Sequence, residues 1–223
     1  MNTTNLITEK TKKILAECQA KNAKLCIAAK NQSPEILALA NVSDTIIFAE
    51  NKVQEAESKR EFYDSIPNNL HLIGPLQSNK VKKAVEIFDV IQTVDSLKLL
   101  RRIDKISGEQ EKLVRVFLNI NITEDPRKSG FLINELVFFL KSIKQTPHTN
   151  IVISGLFTIL QNNLSPHEIS SFYALMKKIF NSLKSHFGLQ FTEISMGMSG
   201  DYPLALDQGA TQVRVGSKIF KNE

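Results

Sequence analysis

The chain has 223 residues, 42% hydrophobic and 23% charged, which is the composition of a globular protein with enough apolar material for a full core. Its net charge of +5 is spread along the chain in pairs such as Lys12 and Lys13, without a basic stripe that contains aromatic residues, and this argues against nucleic-acid binding. No apolar run reaches the roughly 18 residues of a membrane span and the N-terminus does not resemble a signal peptide, so we expect no membrane association and a cytoplasmic location.

Eight short apolar runs alternate with helix-like stretches along the chain. Several runs are continuously apolar, which is typical of strands buried on both faces. We predict strands at residues 25–29, 45–49, 71–76, 90–94, 114–122, 151–159, 192–196 and 212–219. Eight strand–helix units indicate an α/β fold, a single closed (β/α)8 barrel of the TIM type that forms one domain over residues 1–223. The alternative is an open doubly wound sheet, although no Gly-x-Gly-x-x-Gly turn follows the first strand.

The helices carry start and stop signals. An extra N-terminal helix over residues 6–18 precedes strand one, and we expect it to close the bottom of the barrel. Ser165, followed by Pro166 and then by Glu168, predicts a helix that begins with a capping box. Gly188 stands where that helix is expected to end.

Lys30 follows the first strand, at the end of the barrel where this fold places its active sites. We expect the side chain to be partly buried, since burial disfavours the charged amine and frees a nucleophile for imine formation. The alternative is a lysine that ends a strand and reaches solvent.

Two glycine- and serine-containing turns follow the last two strands, at residues 195–199 and 215–217. Glycine lets backbone N–H groups approach an anion, and the loops after strands seven and eight form the recurrent phosphate site of this barrel. Residues 199–209 are expected to form a short helix behind the first turn. The alternative is a pair of ordinary turns without a ligand.

Three further residues near the strand ends have two interpretations each. Arg214 faces either the ring or phosphate of a bound cofactor, or a core carboxylate such as Glu193. Asn51 either binds a ring substituent or caps the next helix. Glu50 either pairs with a lysine or favours a helix N-terminus.

The histidines and cysteines do not suggest other chemistry. The four histidines have no metal-ligand spacing, and Cys18 and Cys26 are too few for a disulfide framework. We therefore predict no metal site and assign no catalytic residue.

The strand-end motifs resemble those of one family, the pyridoxal-phosphate homeostasis proteins of the YggS/PROSC type, which is related to the barrel domain of alanine racemase. The matching segments occur in the family's order and extend from strand one to the chain end. They are Ala28–Lys30, Phe48–Glu55, His71–Lys80, Lys128–Gly130, Gly155–Ile159, Ser195–Ser199 and Val213–Ser217. The chain departs from the usual pattern at Phe157, where the family has methionine, and at Leu160, where it has proline. These changes are expected to reshape one wall of the pocket.

The resemblance implies pyridoxal 5'-phosphate (PLP) as the cofactor, held on Lys30 as a Schiff base. It implies a cofactor site formed by Lys30, Asn51, Ser199, Arg214, Gly216 and Ser217, in which Ser199, Gly216 and Ser217 hold the phosphate. The family binds, buffers and delivers PLP and is not known for a robust turnover reaction. We therefore expect a monomeric, non-catalytic protein of intracellular PLP homeostasis, with apo forms of PLP-dependent enzymes as partners.

Three alternatives remain at this point. A PLP-dependent, racemase-like enzyme with weak turnover needs bases on both faces of the substrate, and Tyr202 is the candidate for the second base. A Schiff-base aldolase uses a barrel lysine and a phosphate site without the cofactor. A basic interaction protein with a decayed site would be insensitive to loss of Lys30.

Overall fold

The strands are parallel and close into one barrel in chain order, with the eighth strand paired to the first. A computed structural model describes residues 3–145 and 148–221 of the chain. The strands are β1 (Lys24–Ala28), β2 (Ile47–Glu50), β3 (Leu70–Leu72), β4 (Val90–Val94), β5 (Val114–Asn119), β6 (Ile151–Phe157), β7 (Glu193–Ser195) and β8 (Gln212–Val215). The predicted α/β barrel of the TIM type is thereby confirmed.

Helices surround the barrel and connect its strands. They are α1 (Thr3–Ala20), α2 (Pro34–Ala40), α3 (Val53–Ser58), α4 (Arg60–Asp64), α5 (Val81–Ile87), α6 (Leu97–Glu109), α7 (Glu135–Gln145), α8 (Pro166–Phe187), α9 (Tyr202–Asp207) and α10 (Ser217–Phe220), with 3-10 turns at Ser78–Lys80 and Gly188–Gln190. Helix α8 begins with the predicted capping box of Ser165 and Glu168, and Gly188 ends it with φ +74°. The main core lies between the strands and these helices, and a smaller apolar cluster fills the barrel interior around Phe117 and Phe157.

Several strands end earlier than the apolar runs predicted. Strand β3 ends at Leu72 instead of residue 76, because Pro75 lacks the N–H that a sheet ladder needs. At Gly74, an added Cβ would lie 2.0 Å from the carbonyl oxygen of Asn51, so the chain after β3 packs directly on the end of β2. Strand β8 ends at Val215 instead of residue 219, since the chain turns at Gly216 and continues as α10.

The predicted N-terminal helix is present as α1. It packs on the flank of the barrel against α2, β1 and α10, and Leu15 and Gln19 near its C-terminal end also line a pocket beside residues at the amino ends of the strands. Its buried residues include Ile14 and Cys18, which join the core between strands and helices. Because α10 has only four residues and cannot cover the strands beneath it, α1 also buries part of their apolar outer face.

The described residues contain neither a membrane-spanning helix nor a metal-binding cluster. Within residues 3–145 and 148–221, no helix combines the length and the apolar character required to cross a bilayer. The same residues contain no cluster of three or more histidine, cysteine, aspartate or glutamate side chains that could hold a metal ion.

Candidate functional site

A cavity of about 640 Å³ opens at the carboxyl ends of the strands. All six residues predicted for the cofactor site line it: Lys30, Asn51, Ser199, Arg214, Gly216 and Ser217. They come from the connections after β1, β2 and β7 and from β8 with its following turn. The volume lies in the range of small-molecule sites, and closure of the barrel is what brings residues so distant in sequence together.

Lys30 stands two residues beyond the end of β1, and its side chain is exposed to the cavity. The expected partial burial was therefore wrong. Its predecessor Ala29 is fully buried, whereas Asn31 has φ +60° and turns the chain sharply away from the strand. The strand end is thus held firmly while the lysine side chain remains accessible.

The two predicted phosphate turns contact each other. The hydroxyl oxygen of Ser199 accepts hydrogen bonds from the backbone N–H groups of Gly216 (3.2 Å) and Lys218 (3.3 Å). An added Cβ at Gly216 would lie 3.0 Å from the carbonyl oxygen of Ala28, so glycine allows this turn to approach the end of β1. Hydroxyl and N–H donors of both turns are therefore gathered on the side of the cavity next to Lys30.

A carboxylate that the sequence did not single out supports the first of these turns. Asp201 accepts a hydrogen bond from the backbone N–H of Met198 (2.6 Å) through one oxygen and from the hydroxyl of Tyr173 (2.7 Å) through the other. Gly197 has φ +90°, which favours glycine. Helix α8 thereby fixes the loop that carries Ser199.

Arg214 is buried at the floor of the cavity. Its guanidinium donates to the hydroxyl of Ser195 and to the carbonyl oxygen of Thr158, both at 2.7 Å. The guanidinium carbon lies 4.2 Å from the ring centroid of Phe157, one of the departures from the family pattern. Burial lowers the pKa of Arg214, but a guanidinium remains protonated in proteins. The residue therefore places a fixed positive charge beside the cavity.

The alternative partner proposed for Arg214 was wrong, because Glu193 forms an ion pair with Lys24 at 2.6 Å instead. The alternative role of Asn51 is also excluded, since the residue that precedes α3 and occupies its N-cap is Lys52. Asn51 is half-buried and lines the cavity.

Glu50 pairs with a lysine, as one of its two interpretations predicted. Lys59 donates to its Oε1 at 2.6 Å, and the hydroxyl of Tyr63 donates to the same oxygen at 2.7 Å. Burial raises the pKa of Glu50, and the two donors and the charge of Lys59 act against that change. Sequence reasoning missed both partners, because Lys59 lies between Ser58 and Arg60 and has the pattern of a surface cation.

A second pocket of about 260 Å³ adjoins the first and shares Ile73 and Ile159 with it. Asn119, Asn121 and Lys128 line this extension of the mouth. The site can therefore accommodate an anionic group at its turns, a planar group above Arg214 and a carbonyl carbon near Lys30, with further room towards β5.

Comparison with known proteins agrees with this geometry. The family model described as alanine racemase, N-terminal domain, matches residues 4–223. A relative from Synechocystis sp. named pyridoxal phosphate homeostasis protein is 39% identical over 174 residues, which are 78% of this chain and 79% of the relative.

Solved structures give the same result. PipY of Synechococcus elongatus without PLP has a TM-score of 0.89 and 34% identity, and covers 96% of this chain and 100% of its own. The same protein with PLP bound has a TM-score of 0.85 at 33% identity and the same coverage. Alanine racemase from Corynebacterium glutamicum shares only the fold, with a TM-score of 0.77 at 16% identity over 99% of this chain and 61% of that one. The chain thus belongs to the alanine racemase N-terminal domain family and, within it, to the pyridoxal phosphate homeostasis proteins.

Proposed function

We propose that this chain binds PLP in the 640 Å³ cavity and serves in intracellular PLP homeostasis. The observation that carries the proposal is the position of Lys30, an exposed amine that lines the same cavity as the two serine- and glycine-containing turns. The PLP-bound structure of PipY, which covers nearly the whole chain, supports it.

The donor set fits the chemical groups of PLP. Ser199 and Ser217 offer hydroxyl donors for the phosphate, and the N–H of Gly216, which donates to Ser199 Oγ in this structure, would become available if Ser199 turned towards the phosphate. Arg214 adds the fixed positive charge, and the amide of Asn51 is available to a ring substituent. PLP, when bound, would supply an aldehyde with which the Lys30 amine can condense to a Schiff base, with release of water.

The proposed role is that of a carrier that delivers PLP to apo forms of PLP-dependent enzymes. Because Lys30 is exposed, incoming amines can reach the lysine-linked carbon from solvent, which favours exchange of the cofactor. We propose that residues 1–223 form a single PLP-binding domain that acts as a monomer in the cytoplasm.

The racemase-like alternative has weaker support. Its candidate second base, Tyr202, is buried and donates its hydroxyl proton to Glu17 of α1, away from the cavity. Among the described residues that line the cavity there is no carboxylate, histidine or tyrosine, and Lys221 is an exposed residue at the rim. A second proton-transfer group facing Lys30 is what racemisation requires.

The test is to add PLP to the purified protein, reduce with borohydride and measure the mass of the intact chain and of its peptides. We expect one reduced pyridoxyl group on Lys30, and its loss in Lys30→Ala with the fold retained in the circular dichroism spectrum. Lys52→Ala is the matched control, since Lys52 is also exposed near the mouth of the barrel and does not line the cavity.

Two results would contradict the proposal. A wild-type protein that binds sugar phosphates but forms no adduct with PLP would favour the aldolase alternative. Equal labelling of wild type and Lys30→Ala would remove Lys30 from the site. A chiral assay of amino acids with the loaded protein separates the carrier from the racemase, because a carrier shows no inversion above the rate of free PLP.

A further inference from the structure

A buried charged cluster lies beneath Lys30 and outside the cavity lining. Its members are Glu50 at the end of β2, Lys59 at the junction of α3 and α4, and Tyr63 on α4. Both donors converge on Oε1 of Glu50, which is fully buried, and Oε2 has no hydrogen-bond partner among the described residues. Burying such a pair usually costs more free energy than the attraction returns, so stability alone is a poor reason for its presence.

The cluster reaches the backbone that carries Lys30. Besides Glu50, Lys59 Nζ donates to the carbonyl oxygen of Ala29 at 3.0 Å, and that carbonyl belongs to the peptide bond between Ala29 and Lys30. The N–H of Ala29 donates to the carbonyl of Ala49 at 2.8 Å, one residue before Glu50. The residue before Lys30 is therefore tied to β2 through its N–H, and its carbonyl accepts from Lys59 and, at 3.1 Å, from the N–H of Gln32.

The other contacts of the Lys30 backbone are longer, since Gln32 Nε2 donates to its carbonyl oxygen at 3.4 Å and the N–H of Asn31 donates to Glu55 at 3.4 Å. The Lys30 side chain is exposed, and Asn31 already has a left-handed backbone conformation. Formation of an imine requires that the amine nitrogen lie within bonding distance of a carbonyl carbon. A small displacement of either group strongly reduces the rate and the extent of imine formation. The fold therefore holds Lys30 in advance through its backbone, most closely through the peptide that precedes it.

We propose that Lys59, Glu50 and Tyr63 are positioning residues that hold the Ala29–Lys30 peptide so that the amine of Lys30 reaches the aldehyde carbon of PLP. This inference rests on the proposed function. In the bond-forming step, Nζ of Lys30 forms a C=N bond with the aldehyde carbon, the aldehyde oxygen leaves as water, and no redox partner is needed. The cluster touches none of these atoms and acts only through the backbone.

The experiment separates formation of the imine from binding of the cofactor. PLP is compared with 4-deoxypyridoxine 5'-phosphate, which has the same ring and phosphate but no aldehyde. The variants are Lys59→Met and the double variant Glu50→Gln/Lys59→Met, in which no charge is left buried without a partner. Lys83→Met is the control, because Lys83 forms ion pairs on the helix surface with Glu57 and Glu86.

We expect borohydride-trapped adduct to fall at least about tenfold at subsaturating PLP in both variants, with binding of the analogue changed by less than about twofold. If Lys59→Met does not fold, the double variant decides. A folded double variant that traps as much PLP adduct as wild type would overturn the inference. An equal loss of binding for PLP and for the analogue would also overturn it, because that result indicates a general structural role of the cluster. Failure of the wild-type protein to form any adduct would instead overturn the proposed function itself.

Discussion

Replacement of Lys59 by methionine should destabilise the protein in a way that depends on Glu50. The methionine retains most of the apolar stem but leaves the fully buried Glu50 carboxylate with only the hydroxyl of Tyr63 as donor. Loss of one partner of a buried pair costs about 3–5 kcal/mol of unfolding free energy. For a chain of this size, about 2–4 °C per kcal/mol gives a fall in Tm of roughly 6–20 °C.

The loss of unfolding free energy in Lys59→Met depends on pH because of Glu50, whose pKa is raised by burial in the folded protein. A raised carboxyl pKa means that the folded state binds the proton more tightly than the unfolded state, whose glutamate titrates at about 4.3. The buried Glu50 carboxylate therefore lowers the unfolding free energy by its full amount above the folded-state pKa. This effect disappears below the unfolded-state pKa, where the carboxyl group is protonated in both states. Removal of Lys59 raises the folded-state pKa further, so the deficit of Lys59→Met should be largest near pH 7–8 and shrink as the pH falls towards 4.

The assay is urea unfolding of wild type, Lys59→Met and Glu50→Gln/Lys59→Met at several pH values. The double variant buries a neutral amide in place of the charge, and we expect its unfolding free energy to lie within about 1 kcal/mol of wild type. The difference in unfolding free energy between the single and the double variant reports on Glu50, because all other titrating groups are the same in both proteins. A single variant as stable as the double at pH 8, or a difference that does not change with pH, would refute the reasoning.

Two further predictions concern residues at and near the mouth of the barrel. Tyr202→Phe should lose the hydrogen bond to Glu17 and about 1 kcal/mol of unfolding free energy. We expect PLP affinity and the adduct on Lys30 to be unchanged, and weaker PLP binding in a titration would instead place Tyr202 in the cofactor site. Arg214→Met should weaken PLP binding about tenfold, since the positive charge beside the cavity is lost, and an unchanged Kd in a fluorescence titration would remove Arg214 from the cofactor site.

The strand ends show how much of the site could be predicted. In a closed parallel barrel all carboxyl ends meet at one rim, so Lys30 and the turns after β7 and β8 had to be neighbours once eight strands were assigned. What failed was the exact extent of strands, as at β3 and β8, because apolar residues continue past the point where Pro75 or Gly216 interrupts the ladder. Burial of Lys30 also failed, since exposure depends on the shape of the whole mouth.

The hydrogen-bond and ion-pair partners of individual side chains could not be predicted from the sequence. Glu193 of β7 was the predicted alternative partner of Arg214, whereas Ser195, two residues further along the same strand, was not predicted as a partner. Only the stagger of the strands around the barrel brings Ser195 within 2.7 Å of Arg214 and leaves Glu193 to Lys24 at the opposite end.

The sequence by itself determined the barrel and the positions of the candidate cofactor residues along it, because apolar periodicity and turn residues act locally and parallel strands order their ends in space. The tertiary structure decided which charges are buried and what holds them. Lys59 has a surface pattern in the sequence, yet α3 and α4 bring it back to the ends of β1 and β2. These contacts join Lys59 to residues 30 and 9 positions away in the chain, and their geometry exists only after the strands have closed into the barrel.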